Sequence, residues 1–323
     1  MKGTFRNNAR TFFCRSVMGN SADGLATIVN MIALVCVNNW GERWAKVAVA
    51  LWAFDAALSI LVAIGLLFMI HIRSSQCQQA GFCPSSLSIV AAASGGVVAE
   101  AVSQSMPSVV ITSNIGWGTG GSLALSISAT YLYRLIAHGA PAPQALPSLF
   151  LLIGPCGQGS FGTVTLGKVV KDLVYSLGID NLATQKQQTE MAMMAQATYA
   201  GGFVTGLILW GLGLCWYLLA TALVIDHIWN VDRSYLRHRS FNVSFTALTF
   251  PIGVWASASN ALATELDSEV FRVIGAVVST QVCFIWLYVM PMTIYKAFEG
   301  SVFNATELEL FSSKHRQRSE DKV

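Results

Sequence analysis

A run of glycine and proline inside an uncharged stretch contains the residues best suited to chemistry. Residues 154–162 read GPCGQGSFG. Proline removes a backbone hydrogen-bond donor and glycine permits unusual backbone angles, so this run predicts a broken helix. A half-helix that begins at membrane depth directs its amide N–H groups at anions. A simple packing kink is the alternative. The candidate anion-binding residues here are Gly154, Pro155, Gly157, Gln158 (a neutral donor) and Gly159.

Two other glycine or proline clusters resemble this run. Thr249, Phe250 and Pro251 would place an aromatic ring beside a proline kink, and Phe250 becomes a candidate gate if the kink faces inward. A buried core phenylalanine is the alternative interpretation. Gly95 and Gly96 follow an alanine run and are further candidates for lining a path.

Acidic side chains inside apolar runs are a second class of candidate. Intramembrane acids are functional candidates by default. Glu100 closes one run and could line the mouth of a path, whereas Asp55 could equally pair with another helix. The five histidines show no metal-ligand spacing, and the sequence contains no catalytic constellation. We therefore expect neither an enzyme nor a bound metal or cofactor.

The composition indicates what must position these residues. Of 323 residues, 54% are apolar and only 11% are charged, against roughly 25% charged in a soluble domain. The mean hydropathy of +0.54 predicts an all-α protein that crosses the lipid bilayer several times. The net charge of +3 is too small to suggest a nucleic-acid partner.

The apolar runs predict eight membrane-spanning helices in one transport domain over residues 23–298. A basic segment, 1–22, precedes this domain and a polar tail, 299–323, follows it. Spanning requires roughly 20 mostly apolar residues, and the first and third runs are short. The predicted spans are 24–38, 47–69, 85–99, 109–136, 145–167, 199–225, 241–264 and 273–294.

The spans alternate in character along the chain. Odd-numbered spans are rich in small residues and carry the predicted breaks, while even-numbered spans contain most of the Trp, Leu and Tyr. Irregular backbone at membrane depth is tolerated only where protein or a water-filled cavity covers it. We therefore expect an inner ring of odd helices around a central path and an outer ring of even helices. Close packing of small residues is the alternative.

The positions of Lys and Arg predict the orientation. With both termini in the cytosol, most basic residues fall on the cytosolic side, as the positive-inside rule requires. The opposite side receives Arg43, Lys46, Lys168, Lys171, Lys186 and Arg272.

By its motifs the chain resembles the tellurite-resistance/dicarboxylate transporter family, which is related to slow anion channels, and within it the fungal sulfite efflux pumps most closely. The resemblance extends over about residues 22–304. It is carried by GLATIVNM at 24–31 (with Asn30), VAAASGGVVA at 90–99, WGTG at 117–120, GPCGQG at 154–159, FNVS at 241–244, TFPIGV at 249–254, ELDS at 265–268 and FRV at 271–273.

The resemblance implies ten helices in five hairpins, with the odd helices lining a pore that an aromatic side chain of the ninth helix obstructs. Phe250 matches that aromatic residue. It also implies export of a small inorganic anion, sulfite or bisulfite, across the plasma membrane, and often homo-oligomers. This sequence departs from the pattern because it contains eight spans, without the first hairpin. A C4-dicarboxylate (malate) transporter of the same fold and a truncated, non-transporting membrane remnant are the alternatives.

Overall fold

The computed structural model describes residues 24–72, 83–101, 107–139, 149–176, 185–230 and 248–298. Within these ranges the chain is almost entirely helical and contains no strand. The predicted all-α class is confirmed. Parts of two predicted spans, residues 145–148 and 241–247, lie outside the described residues.

Each predicted span corresponds to one helix. Helix α1 covers residues 24–40 and includes a π-helical turn at Ile32–Cys36. The others are α2 (Glu42–Ile72), α3 (Cys83–Ala101), α4 (Pro107–His138), α5 (Ile153–Ser176), α6 (Gln185–Asn230), α7 (Thr249–Leu266) and α8 (Glu269–Phe298).

Four helices are long and apolar enough to cross a membrane by length and composition. They are α2, α5, α6 and α8, whose apolar stretches are Arg43–Leu61, Leu149–Ser176, Gln185–His227 and Glu269–Tyr295. Helix α6 has 46 residues and is about 69 Å long, so it extends well beyond a hydrocarbon core of ~30 Å. Helices α1 and α3 contain shorter apolar segments, Gly24–Cys36 and Val90–Ala101.

The odd helices form an inner row in the order α1, α3, α5, α7, each packed against the next. The even helices lie outside this row. Helix α2 packs on α1 and α3, α4 on α3 and α5, α6 mainly on α5, and α8 on α7. The predicted division into inner and outer helices is therefore present in the packing.

Burial follows the same division for most helices. Nearly every residue of α5 and residues 90–99 of α3 are buried, whereas α2, α6 and α8 are mostly exposed. The outer helices direct large apolar side chains outward, among them Phe54, Ile115, Leu218 and Phe284. Such faces suit lipid. Helix α1 departs from this rule, because it stands at the end of the row and exposes Ile28, Met31 and Leu34.

The predicted helix breaks are wrong for the described residues. Pro155 is the third residue of α5 and Pro251 the third residue of α7, so each proline lies in a first helical turn. A proline is tolerated there because the first-turn amides have no acceptor within the helix. Helix α3 also continues through Gly95 and Gly96. The glycines are accommodated by close helix contacts instead.

Aromatic rings pack the end of the row where α5, α6 and α7 meet. The Trp255 ring stacks on Trp210 and Tyr217, with centroid distances of 5.4 and 5.2 Å. The Trp210 indole Nε1 donates a hydrogen bond of 2.9 Å to Ser259 Oγ, which joins α6 to α7. This bond is buried, so losing the acceptor would leave an indole N–H unpaired.

Replacing Ser259 by alanine should lower the free energy of unfolding by about 1 kcal/mol, because Trp210 loses its acceptor. The melting temperature of the detergent-purified protein measures this. Ser126→Ala is the matched control, since Ser126 is exposed and bonds only to its own helix at Ser122 O. Equal melting temperatures for the two variants would contradict the importance of the bond.

Candidate functional site

Two of the predicted motifs meet where α5 and α7 begin. A Cβ atom placed on Gly154 would lie 3.8 Å from Pro251 Cβ and 3.9 Å from Phe250 Cε1. Phe250 is half-buried and lies beside the first turn of α5. The structure therefore brings together the predicted gate and the glycine-proline run, at one end of the inner row.

Gly157 allows an even closer approach of these two helices. A Cβ atom there would stand 2.7 Å from the Trp255 backbone N and 2.8 Å from its Cα, closer than real side chains come. Only glycine fits, because the obstructing atoms are backbone and cannot rotate away. Gly157 is thus a packing residue that holds α5 against α7.

The other predicted glycines are divided between inner and outer contacts. Gly96 faces α5, since its Cβ would contact Thr165 and Leu166. Gly95 faces Trp52 and Ser113 on the outer helices α2 and α4, and Gly159 faces Leu209 of α6 and Trp117 of α4. The structure places Gly95 and Gly159 against outer helices, away from the inner face that Phe250 shares.

A stripe of residues on α5 points between its two inner neighbours. Gly154 contacts α7, and the residues that follow it at helical spacing are Gln158, Phe161, Thr165 and Lys168. Gln158 is 6% exposed and Thr165 8%. Phe161 packs against both hydrophobic clusters of the protein. We call these five residues the α5 stripe; most of it is closed to water in this structure.

A matching stripe runs along α7. From Phe250, the residues at the same spacing are Val254, Ser257, Ala261 and Thr264, which we call the α7 stripe. The flanking faces of α7 pack on α5, α6 and α8, through Pro251, Ser259 and Gly253 respectively. Ser257 and Thr264 are exposed. Small polar side chains on an uncovered face differ from the large apolar side chains that the outer helices expose.

Two buried polar atoms of the inner row make no hydrogen bond within the described part of the chain. They are Asn30 Oδ1 on α1 and Ser94 Oγ on α3. Asn30 lies two residues before the π-helical turn, a feature that is frequent at functional sites. An unpaired buried polar group costs free energy, so both atoms are available to a hydrated or polar guest.

The two acidic candidates have different surroundings. Glu100 ends α3, and its Oε1 forms an ion pair of 3.1 Å with Lys168 Nζ on α5. Asp55 is 1% exposed on α2, one turn from the buried Ser59. Glu100 therefore belongs to the inner row, whereas Asp55 belongs to an outer helix.

Sequence reasoning missed several residues of the two stripes, namely Phe161, Thr165, Lys168, Val254, Ser257, Ala261 and Thr264. A helical repeat counted onward from Gly154 and from Phe250 would have found them. The described residues hold no group of three or more His, Cys, Asp or Glu close enough to bind a metal ion. The stripes thus offer hydroxyl, amide and aromatic groups, with one ammonium group at the far end.

Comparison with known proteins gives a consistent result. A family model described as "SLAC1: Voltage-dependent anion channel" matches residues 1–294. The "Sulfite efflux pump SSU1" of Arthroderma otae is 33% identical over 89% of this chain and 73% of the relative. The protein of the same name from Trichophyton rubrum is 32% identical with the same coverage. The "Malic acid transport protein" of Schizosaccharomyces pombe is 21% identical over 84% of this chain and 59% of the relative. No solved structure matches.

Proposed function

The chain belongs to the SLAC1 family of voltage-dependent anion channels, and we propose that it exports sulfite along a path between the α5 stripe and the α7 stripe, with Phe250 as the gate. A member of this family is a multi-pass membrane transporter of small anions and not an enzyme. The preference for sulfite is supported by relatives named as sulfite efflux pumps at 32–33% identity.

The uncharged inner row is the observation that carries this proposal. Between Leu149 and Gly167 on α5, and between Leu248 and Thr264 on α7, no side chain is charged. An anion there would meet hydroxyl and amide donors, such as Gln158 and Thr165. Neutral donors without a fixed cation bind an anion weakly, and weak binding favours rapid passage.

Phe250 is suited to obstruct this path because it heads the α7 stripe and lies against Gly154. A half-buried aromatic ring on the first turn of α7 can change rotamer without unfolding the helix. The buried Gln158 further along the α5 stripe fits a closed state.

Location and assembly are part of the proposal. The positive-inside distribution of Lys and Arg supports cytosolic termini, which would place the Phe250 end of the path at the cytosol and the Lys168 end outside. We propose the plasma membrane as the location, a single transport domain over residues 23–298, and a homo-oligomer.

Expression in cells that lack their own sulfite exporter tests the function. The chain should lower retained sulfite several-fold relative to an empty vector, because it supplies an anion path. The Arthroderma otae relative serves as the positive control. Unchanged sulfite retention beside an active control would contradict sulfite export.

Malate transport is the second candidate, and the Schizosaccharomyces pombe relative is the observation that favours it. The same cells are loaded with malate, and malate is tested as a competitor of sulfite efflux. Malate movement without sulfite movement would replace the proposed substrate with a dicarboxylate. Movement of neither anion would favour a non-transporting protein.

A further inference from the structure

Three adjacent inner helices reach their first charged residue at the same end of the row. Helix α5 is uncharged from Leu149 to Gly167 and then presents Lys168. Helix α3 is uncharged until Glu100, and α7 from Leu248 until Glu265. These residues lie near the C-terminal ends of their helices, opposite to the Phe250 end, and Lys168 is about 21 Å along the α5 axis from Gly154.

The three charges form one cluster. The Lys168 ammonium lies 3.1 Å from Glu100 Oε1 and within electrostatic range of Glu265 and Asp172. The side chains of Lys168 and Glu100 are 40% and 51% exposed, so water reaches both. Lys168 also ends the α5 stripe. It is therefore the first cation that an anion moving along this stripe would meet.

The other groups nearby are engaged elsewhere. Glu265 Oε2 accepts a hydrogen bond of 2.6 Å from the Tyr199 hydroxyl on α6. The Lys171 ammonium lies 4.5 Å from the centre of the same Tyr199 ring. These contacts hold Lys171 and Glu265 toward α6, whereas Lys168 is held toward α3 by Glu100.

We propose that Lys168 is the docking residue for the transported oxyanion at this mouth, and that Glu100 competes with the anion for its ammonium group. This inference rests on the proposed function. An exposed ion pair contributes little free energy, so an oxyanion can exchange with the Glu100 carboxylate. The competition keeps the anion weakly bound, and a transporter that releases its substrate at this mouth requires weak binding.

A purely mechanical role makes a different prediction. If the Lys168–Glu100 pair only holds α3 against α5, removing either partner has the same effect on the protein. If Lys168 docks the anion, the two substitutions act in opposite directions, because Glu100→Gln frees the ammonium group and Lys168→Gln removes it.

The test uses the full-length purified protein and sulfite itself. Sulfite-dependent thermal stabilisation gives a dissociation constant without requiring flux. We expect Lys168→Gln to raise this constant about two- to fivefold and Glu100→Gln to lower it by a similar factor. The double variant should resemble Lys168→Gln. Lys186→Gln is the matched control, because Lys186 is 83% exposed and pairs only with Glu190 on α6.

Transport measurements separate this inference from the proposed function. In proteoliposomes, the half-saturating sulfite concentration should move in the same opposite directions for the two variants. Equal shifts for both, or changes in melting temperature without a change in sulfite affinity, would overturn the docking role and leave sulfite export standing. If the wild type carries malate instead, sulfite export fails, and the same proteins are compared with malate.

Discussion

Replacing Phe250 by alanine should raise sulfite flux about tenfold, equivalent to lowering the barrier by ~1.4 kcal/mol. The ring heads the α7 stripe and lies against Gly154, where α5 and α7 begin. Removing it leaves a space that no other described side chain is placed to close. Flux is measured in proteoliposomes at equal amounts of folded protein, so that a change in expression does not enter the comparison.

Phe284→Ala is the matched control for this substitution. Phe284 is 69% exposed on α8, away from the inner row, and its removal should leave the flux unchanged. Unchanged or lower flux in Phe250→Ala would remove Phe250 as the gate. An equal rise in both variants would indicate a general loosening of the bundle.

Replacing Gly157 by alanine should reduce the yield of folded protein severely and abolish most transport. The added Cβ would lie 2.7 Å from the Trp255 backbone N, so α7 must move away from α5. Overpacking of this kind costs about 1–3 kcal/mol, and here the obstructing atoms are backbone. Melting temperature and the monodisperse fraction after purification measure the effect.

Gly118→Ala provides the comparison on another helix. A Cβ atom on Gly118 would meet nothing within 4 Å, so this substitution should fold and transport as the wild type does. If Gly157→Ala behaved like Gly118→Ala, the contact between α5 and α7 would not constrain this position. Damage in both variants would point to a general requirement for flexible backbone.

The number of helices and their division into two groups could be predicted because both depend on local composition. A helix in hydrocarbon satisfies its own backbone hydrogen bonds and needs about 20 apolar residues, and a run of that length is visible in the chain. The difference between small-residue helices and bulky helices is equally visible, because lipid accepts large apolar side chains and close helix packing accepts small ones.

The helix breaks show where a local signal misleads. Proline and glycine in the GPCGQG run predict a break only if the helix has already begun before them. The structure begins α5 at Ile153, so the same residues form a first turn and a packing surface. The position of a helix start depends on the neighbouring helices as well as on the run itself.

By itself, the sequence determined an all-helical membrane transporter with an uncharged inner row and pointed to Phe250. Only the tertiary structure decided that Phe250 lies against Gly154, that Gly95 faces outward, and that Glu100 pairs with Lys168 across 68 residues. Composition and periodicity report what each helix can bury, and they act over a few turns. Which face meets which neighbour is fixed by packing between helices that are distant in sequence, where single contacts of a few ångströms select one arrangement.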